Sequence, residues 1–157
     1  MLMPRRIGSF VGALMAVTAL AACGGASAKD KNTYVDQINA ALGTYATRAT
    51  ETRNSITPDS SARQDERSFD RFEGAIKEVI TRLGAAKVPA DVAKEHAKLV
   101  AVFTGLRDDV AEARRTLRTQ TVRAQAEGQR LLGAATITAN TKQDAARQAI
   151  NAKLRAD

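Results

Sequence analysis

Apolar residues recur along most of this chain in alternating steps of three and four, the spacing of helices that each bury one face. Val35, Ile38, Leu42, Tyr45, Ala49, Thr52 and Ile56 form the first such stripe and predict a helix opening near Tyr34. Thr57-Pro58-Asp59-Ser60-Ser61 interrupts it. The same segment reads as a start, because proline fits the first helical position and Thr, Asp or Ser caps free amide groups. Phe69, Phe72, Ile76, Val79, Leu83 and Ala86 make a second stripe, ended by Gly84 and Lys87-Val88-Pro89. Pro89 with Asp91 opens the third, since an acid is favoured near the positive end of a helix dipole. That stripe is Val92, His96, Leu99, Phe103, Leu106, Val110, Ala113 and Leu117. No proline follows Leu117, so the third helix is expected to continue through Leu131 and Leu132 until Gly133 or Asn140 ends it. Thr141, with Asp144 after it, has the form of a capping box and predicts a final helix carrying Ala145, Ala149, Ile150 and Leu154.

Such stripes can be buried within one chain as a bundle or between chains as a coiled coil. Short, proline-marked connections favour the bundle, because a helix followed closely by another folds back beside it. The expected fold class is therefore all-α, an antiparallel bundle of three to four long helices over residues 33–157. Beyond Leu117 the large apolar residues thin out to Val122, Leu131, Leu132, Ile137, Ile150 and Leu154. Each such residue contributes only about 1.5–3 kcal/mol when fully buried, so the last segment is expected either to be loosely held or to need a partner.

The start of the chain obeys a different pattern. Arg5 and Arg6 precede an apolar stretch over residues 7–19, and small residues follow, as in a cleaved secretory signal. A membrane-spanning helix needs about 20 apolar residues, and this run, interrupted by Ser9 and Thr18, is too short. Leu20-Ala21-Ala22-Cys23 resembles the lipobox of bacterial lipoproteins, a family defined by its processing rather than by a shared fold. The resemblance implies that Leu20, Ala21 and Ala22 are recognised, that residues 1–22 are removed, and that Cys23 carries acyl groups into a lipid bilayer. Two or more acyl chains hold a protein stably at a membrane, whereas one does so only marginally. Cys23 is the sole cysteine, so no internal disulfide competes for it. Residues 23–32, rich in Gly, Ala, Ser and Lys, read as the lipidated N-terminus and a flexible tether. The implied location is the outer face of the cell membrane, or the outer membrane where the host has one. Arginine outnumbers lysine sixteen to eight, which suggests a GC-rich genome. The body, with Tyr34-Val35-Asp36-Gln37-Ile38-Asn39-Ala40 and Val88-Pro89, resembles small uncharacterised helical lipoproteins of high-GC bacteria, which implies no particular activity.

Charge and chemistry narrow the function classes. Without residues 1–22 the formal charge falls from +7 to about +5, because Arg5 and Arg6 leave with them. Arg107, Arg114 and Arg118 follow one side of the third helix, and Arg63, Arg67 and Arg71 one side of the second. These stripes suit an anionic envelope polymer or phosphate-bearing lipid heads, or else flank the seam and pair with Asp70 or Glu73. Nucleic acid is not expected, for an exported chain with two tyrosines, four phenylalanines and no tryptophan offers little stacking surface. His96 is the lone histidine and has no His or Glu one turn away, so a packing role outweighs a metal or general-base role. Asp108, Asp109 and Glu112 read as a solvated acidic face rather than a cation site. No nucleophile elbow, P-loop or dinucleotide fingerprint is present, and no cofactor is expected. The reading is a lipid-anchored, non-enzymatic helical module that binds an envelope protein or anionic polymer. The alternatives are a coiled-coil spacer of the envelope and, third, an enzyme or metal carrier using His96. The oligomeric state and the partner are not encoded in any motif.

Overall fold

The computed structural model of the protein describes residues 26–156. Four helices follow one another, α1 (Ala28–Ser55), α2 (Ala62–Gly84), α3 (Ala93–Thr116) and α4 (Val122–Leu154), and there is no strand among the described residues. Short 3-10 turns, Ala90–Val92 and Leu117–Thr119, lead into and out of α3. Each helix packs on its predecessor, α1 on α2, α2 on α3 and α3 on α4, while the backbones of α1 and α4 barely approach one another. The all-α bundle expected from the stripes is what the chain forms, with four helices.

The third stripe is the centre of the bundle. Val92, Leu99, Phe103, Leu106, Val110 and Leu117 are all fully buried, as are Phe69, Ile76, Val79 and Leu83 opposite them on α2. Tyr45 of α1 stacks on Phe72 of α2 at 6.0 Å and meets Phe103 of α3 edge-on at 5.0 Å, geometries that aromatic quadrupoles favour. Its hydroxyl continues to α4 and donates to Asn140 Oδ1 at 3.2 Å. One side chain thus touches all four helices.

Helix ends depart from the expectation in three places. α1 begins at Ala28, so Lys29, Lys31 and Asn32 are helical rather than part of a tether. The cause is a cap at Ser27, whose oxygen accepts from the Asp30 amide at 3.2 Å while its hydroxyl donates to Asp30 Oδ2 at 2.6 Å. α2 begins after Ser61, which forms a reciprocal capping box with Gln64, and Pro58 lies in the turn before it. The largest correction concerns the third helix. It stops at Thr116, and Gln120 takes a left-handed backbone (φ 53°) that turns the chain round. Thr121 then caps α4 by accepting from the Ala124 amide at 3.1 Å. Gly133 and Asn140 end nothing, and Thr141 opens nothing, since its hydroxyl bonds back to the Ile137 carbonyl inside one continuous helix.

α4 is held by closeness rather than by bulk. Its buried face is Ala124, Gly128, Leu132, Ala135, Ala139, Ala146 and Ile150, mostly small side chains that let it sit against α3. At Gly128 a Cβ would stand 2.8 Å from Leu117 Cδ2 and 3.2 Å from the Ala113 carbonyl oxygen. At Gly133, on the exposed side, a Cβ would meet nothing within 4 Å. The two glycines therefore have opposite consequences. Gly128→Leu is expected to destabilise the protein by about 1–3 kcal/mol through overpacking. Gly133→Ala is expected to stabilise it by about 0.5–1 kcal/mol through helix propensity. Thermal denaturation followed by circular dichroism reads both, and equal shifts at the two positions would refute the close seating of α4 on α3.

Candidate functional site

Leu20, Ala21, Ala22 and Cys23, the residues of the lipobox, lie outside the described residues. The arginines of the third stripe do not form one free surface. Arg107 is spent on its neighbour, with Nη2 2.7 Å from Asp108 Oδ1. Arg114 crosses to α2, where it binds Asp70 and stands 3.3 Å from the Glu73 carboxylate, the pairing that the seam-flanking alternative predicts. Glu73 is itself buried and held by Lys77 at 2.6 Å. Arg118 is exposed beside the turn at the end of α3. On α2, Arg71 donates to Ser68 and Arg63 and Arg67 face solvent. Asp108 is taken by Arg107 and Glu112 by Arg115, and no group of three or more His, Cys, Asp or Glu among the described residues could hold a metal ion.

A buried polar cluster at the turn between α1 and α2 escaped the sequence reading. Asp65 is fully buried in the first turn of α2. Its Oδ1 accepts from the Ser60 hydroxyl at 2.6 Å, and its Oδ2 accepts from Gln125 at 2.9 Å and Gln129 at 2.7 Å. Gln125 also donates to the Ser60 carbonyl at 2.6 Å. A buried carboxylate is tolerable only when its lone pairs are met, and here Ser60 meets one oxygen while two glutamines one turn apart on α4 meet the other. The pair Gln125 and Gln129 is the signal in the sequence, an amide stripe where an apolar one would otherwise fall.

The seam between α1 and α4 is open. Two adjoining cavities of about 320 and 390 Å³ lie along it and share Ala49, Arg53 and Asn140. The first gathers the large apolar side chains of Ile56 just beyond α1, Phe72 of α2, and Leu132 and Ile137 of α4, with Thr52, Arg53, Gln129, Thr136 and Asn140 among them. Ile137 is 70% exposed on its rim. The second cavity is polar, with Asn39, Thr50, Gln143 and Arg147 around it. Gln143 Oε1 is buried there without a hydrogen-bond partner. Every ionic residue on the two cavities is basic. The grooves elsewhere contain acids, Glu51 and Glu78 between α1 and α2, Asp109 between α3 and α4, and Asp59 at the α1–α2 turn.

His96 is a core residue. Its Nδ1 lies 3.1 Å from the Tyr34 hydroxyl, and both rings are buried in an edge-on contact at 5.7 Å. The hydroxyl donates to Nδ1, which leaves the proton on Nε2, a tautomer inferred from the hydrogen bonding. Burial pushes the imidazole below its ordinary range, opposed in part by a hydrogen bond to the Leu83 backbone.

The sign of the pH effect follows. A base whose folded pKa lies below its unfolded value of about 6.5 costs the folded state stability once it must charge. The His96 contribution is therefore complete above about pH 7 and is lost as pH falls through 6.5. Burial pushes the Tyr34 and Tyr45 hydroxyls up to about 12, so stability is also lost as pH climbs from 10 towards 12. Melting temperature against pH is expected to plateau between these limits. His96→Gln keeps an acceptor for Tyr34 and is expected to flatten the decline from pH 7 to 5 while leaving the alkaline limb unchanged. Parallel acid limbs in the two proteins would show that His96 does not govern it. No family model matches the chain, and no curated protein or solved structure matches it.

Proposed function

We propose that the protein is a membrane-anchored lipoprotein of the cell envelope whose helical bundle binds another envelope component and catalyses no reaction. The observation that carries this reading is the segment Leu20-Ala21-Ala22-Cys23 behind a short apolar stretch, followed within a few residues by the capped start of α1. With Cys23 acylated, the bundle stands on the outer face of the cell membrane, or on the outer membrane in a host that has one. None of the described helices is long and apolar enough to cross a membrane, so lipid on Cys23 is the attachment that the reading requires. His96 is engaged by Tyr34 inside the core, which favours binding over a His96-dependent reaction. The arginines nearest to acids are spent in ion pairs, which shifts the expected binding surface from α3 to the open seam.

Metabolic labelling tests the anchor. Cells expressing the full chain with an alkyne-bearing palmitate are expected to give a labelled protein that lacks residues 1–22. Cys23→Ser is expected to remain unlabelled and to accumulate as the longer precursor. A processed but unlabelled wild-type chain would overturn the reading.

The spacer alternative, in which helices associate between chains, makes a different demand. The apolar stripes of α1, α2 and α3 are consumed inside one chain, which favours a monomer. Sedimentation of the full chain in detergent, corrected for bound detergent, is expected to return the mass of a single chain. A stable dimer or trimer would transfer the lead to the spacer.

A further inference from the structure

We propose that the α1–α4 cleft is a binding site for a single-chain anionic lipid, with the hydrocarbon along Ile56, Phe72, Leu132 and Ile137 and the acidic head between Arg53 and Arg147. This deepens the reading of the protein as an envelope binding module, and its orientation rests on the anchor at Cys23. Four observations carry it. The two cavities adjoin and together make one elongated cleft, each part within the size range of small-molecule sites. Its chemistry is divided along its length, apolar towards the start of α4 and polar towards its end. Its ionic residues are basic only, which selects an anion and repels a cation. Its polar half holds an unsatisfied buried oxygen, Gln143 Oε1. A head-group hydroxyl satisfies that atom directly, and an amide turned over presents its N–H groups to the acid instead.

Neither guanidinium is neutralised by the fold. Arg53 forms no ion pair among the described residues, and Arg147 has only Asp144 at 3.8 Å, on the same helix. Arg53 is unpaired and Arg147 only loosely paired, so an anion between them gains charge-assisted contacts that the fold does not already supply. A small soluble anion would leave the apolar half wet. An extended acidic peptide would set its backbone amides against Ile56, Leu132 and Ile137, where Gln129 and Thr136 are already engaged with Asp65 and the Leu132 carbonyl, so only part of the desolvation cost is met. A flexible hydrocarbon chain meets that half without polar loss and covers the exposed Ile137.

Direction follows from topology. The basic half lies opposite Asn39 and Gly43, towards the N-terminal end of α1, and the apolar half opposite Ile56, towards its C-terminal end. With Cys23 in a membrane, the head sits on the membrane side and the tail points away from it. That is the arrangement of a lipid drawn from the bilayer tail-first.

The test uses the full chain purified from membranes in mild detergent and a diazirine-bearing oleic acid analogue. Irradiation followed by peptide mapping is expected to place the label on residues 49–56 and 129–140. Oleate should compete, and oleyl alcohol, with the same chain and no charge, should compete about tenfold less well, the loss of one charged contact. Arg53→Gln combined with Arg147→Gln is expected to abolish that difference. Ile137→Glu is expected to abolish the labelling, and Val122→Glu, at the still more exposed aliphatic position of the same helix, to leave it intact, with unchanged helicity in both. Lysophosphatidylglycerol as competitor separates the sources: stronger competition than oleate assigns the head as a phosphate, weaker as a carboxylate. Label scattered over the surface would overturn the site, and equal competition by oleyl alcohol would overturn the anionic head. The intact mass of the same preparation reports lipid on Cys23 separately. A labelled cleft without lipid on Cys23 would refute the anchor alone, and an unlabelled cleft on a lipidated chain would refute the lipid site alone.

Discussion

The close seating of α4 on α3 is the constraint to which the rest of the bundle adjusts. α4 has few large apolar residues, and it gains its van der Waals contact by proximity, with Ala124, Gly128, Ala135 and Ala139 against the α3 surface. Gly128 marks the tightest point, where Leu117 and the Ala113 carbonyl occupy the space of a side chain. α4 packs on α3, whereas the backbones of α4 and α1 barely approach one another. α1 already lies on α2 through Tyr45 and Phe72, so the gap falls between α1 and α4. The open seam is thus a product of side-chain size on α4, and the hydrogen bond from Tyr45 to Asn140 spans it in place of packing.

Polar anchors fix the ends of that arrangement. Asp65 ties the first turn of α2 to Gln125 and Gln129 near the start of α4, and Ser60 brings the α1–α2 turn into the same cluster. An unpaired carboxylate in this place would cost several kcal/mol, so its value lies in specificity, since Oδ2 is met only where α4 brings both glutamines to it while Ser60 holds Oδ1. At the other side of the same turn region, Gln120 holds a left-handed backbone that costs a non-glycine residue about 1–2 kcal/mol. Its side chain offsets part of this by donating to the Leu117 carbonyl at 3.1 Å and to Glu66 at 3.3 Å. The reversal after α3 is therefore made by tertiary contacts rather than by a turn-forming residue.

That difference explains what could be read from the sequence. The stripes of α2 and α3 were legible because large apolar residues at helical spacing have one physical outcome, and Phe69 to Leu83 and Val92 to Leu117 are buried as the spacing predicts. α4 was not legible as one helix. Its buried face is alanine and glycine, which leave little periodic contrast, and Gly133, Asn140 and Thr141 are residues that end or open helices in other settings. Its true start was marked only by Thr121, a cap with no proline or glycine beside it. The tether was read too long because Lys29-Asp30-Lys31-Asn32 is polar all round, whereas Ser27 and Asp30 make it a capped first turn. Arg114 pairs with Asp70 and Glu73 as the seam-flanking alternative expects, whereas Arg107 and Arg118, equally one residue beyond the stripe, do not. The cleft was beyond sequence reasoning, because its width depends on the distance between two helices that are far apart in the chain.

Packing and charge together make the seam an unusual place to leave unfilled. A bundle built for stability alone would carry a larger residue than glycine at position 133. It would also place an acid opposite Arg53 or Arg147, as the α1–α2, α2–α3 and α3–α4 seams each place acids near their bases. Each departure costs little by itself. Their coincidence in one cleft, with large apolar side chains gathered at one end and arginines as its only ions, is what a ligand of matching polarity would compensate. The proposed lipid needs both halves at once, which neither an envelope polymer nor a second helix of this chain does.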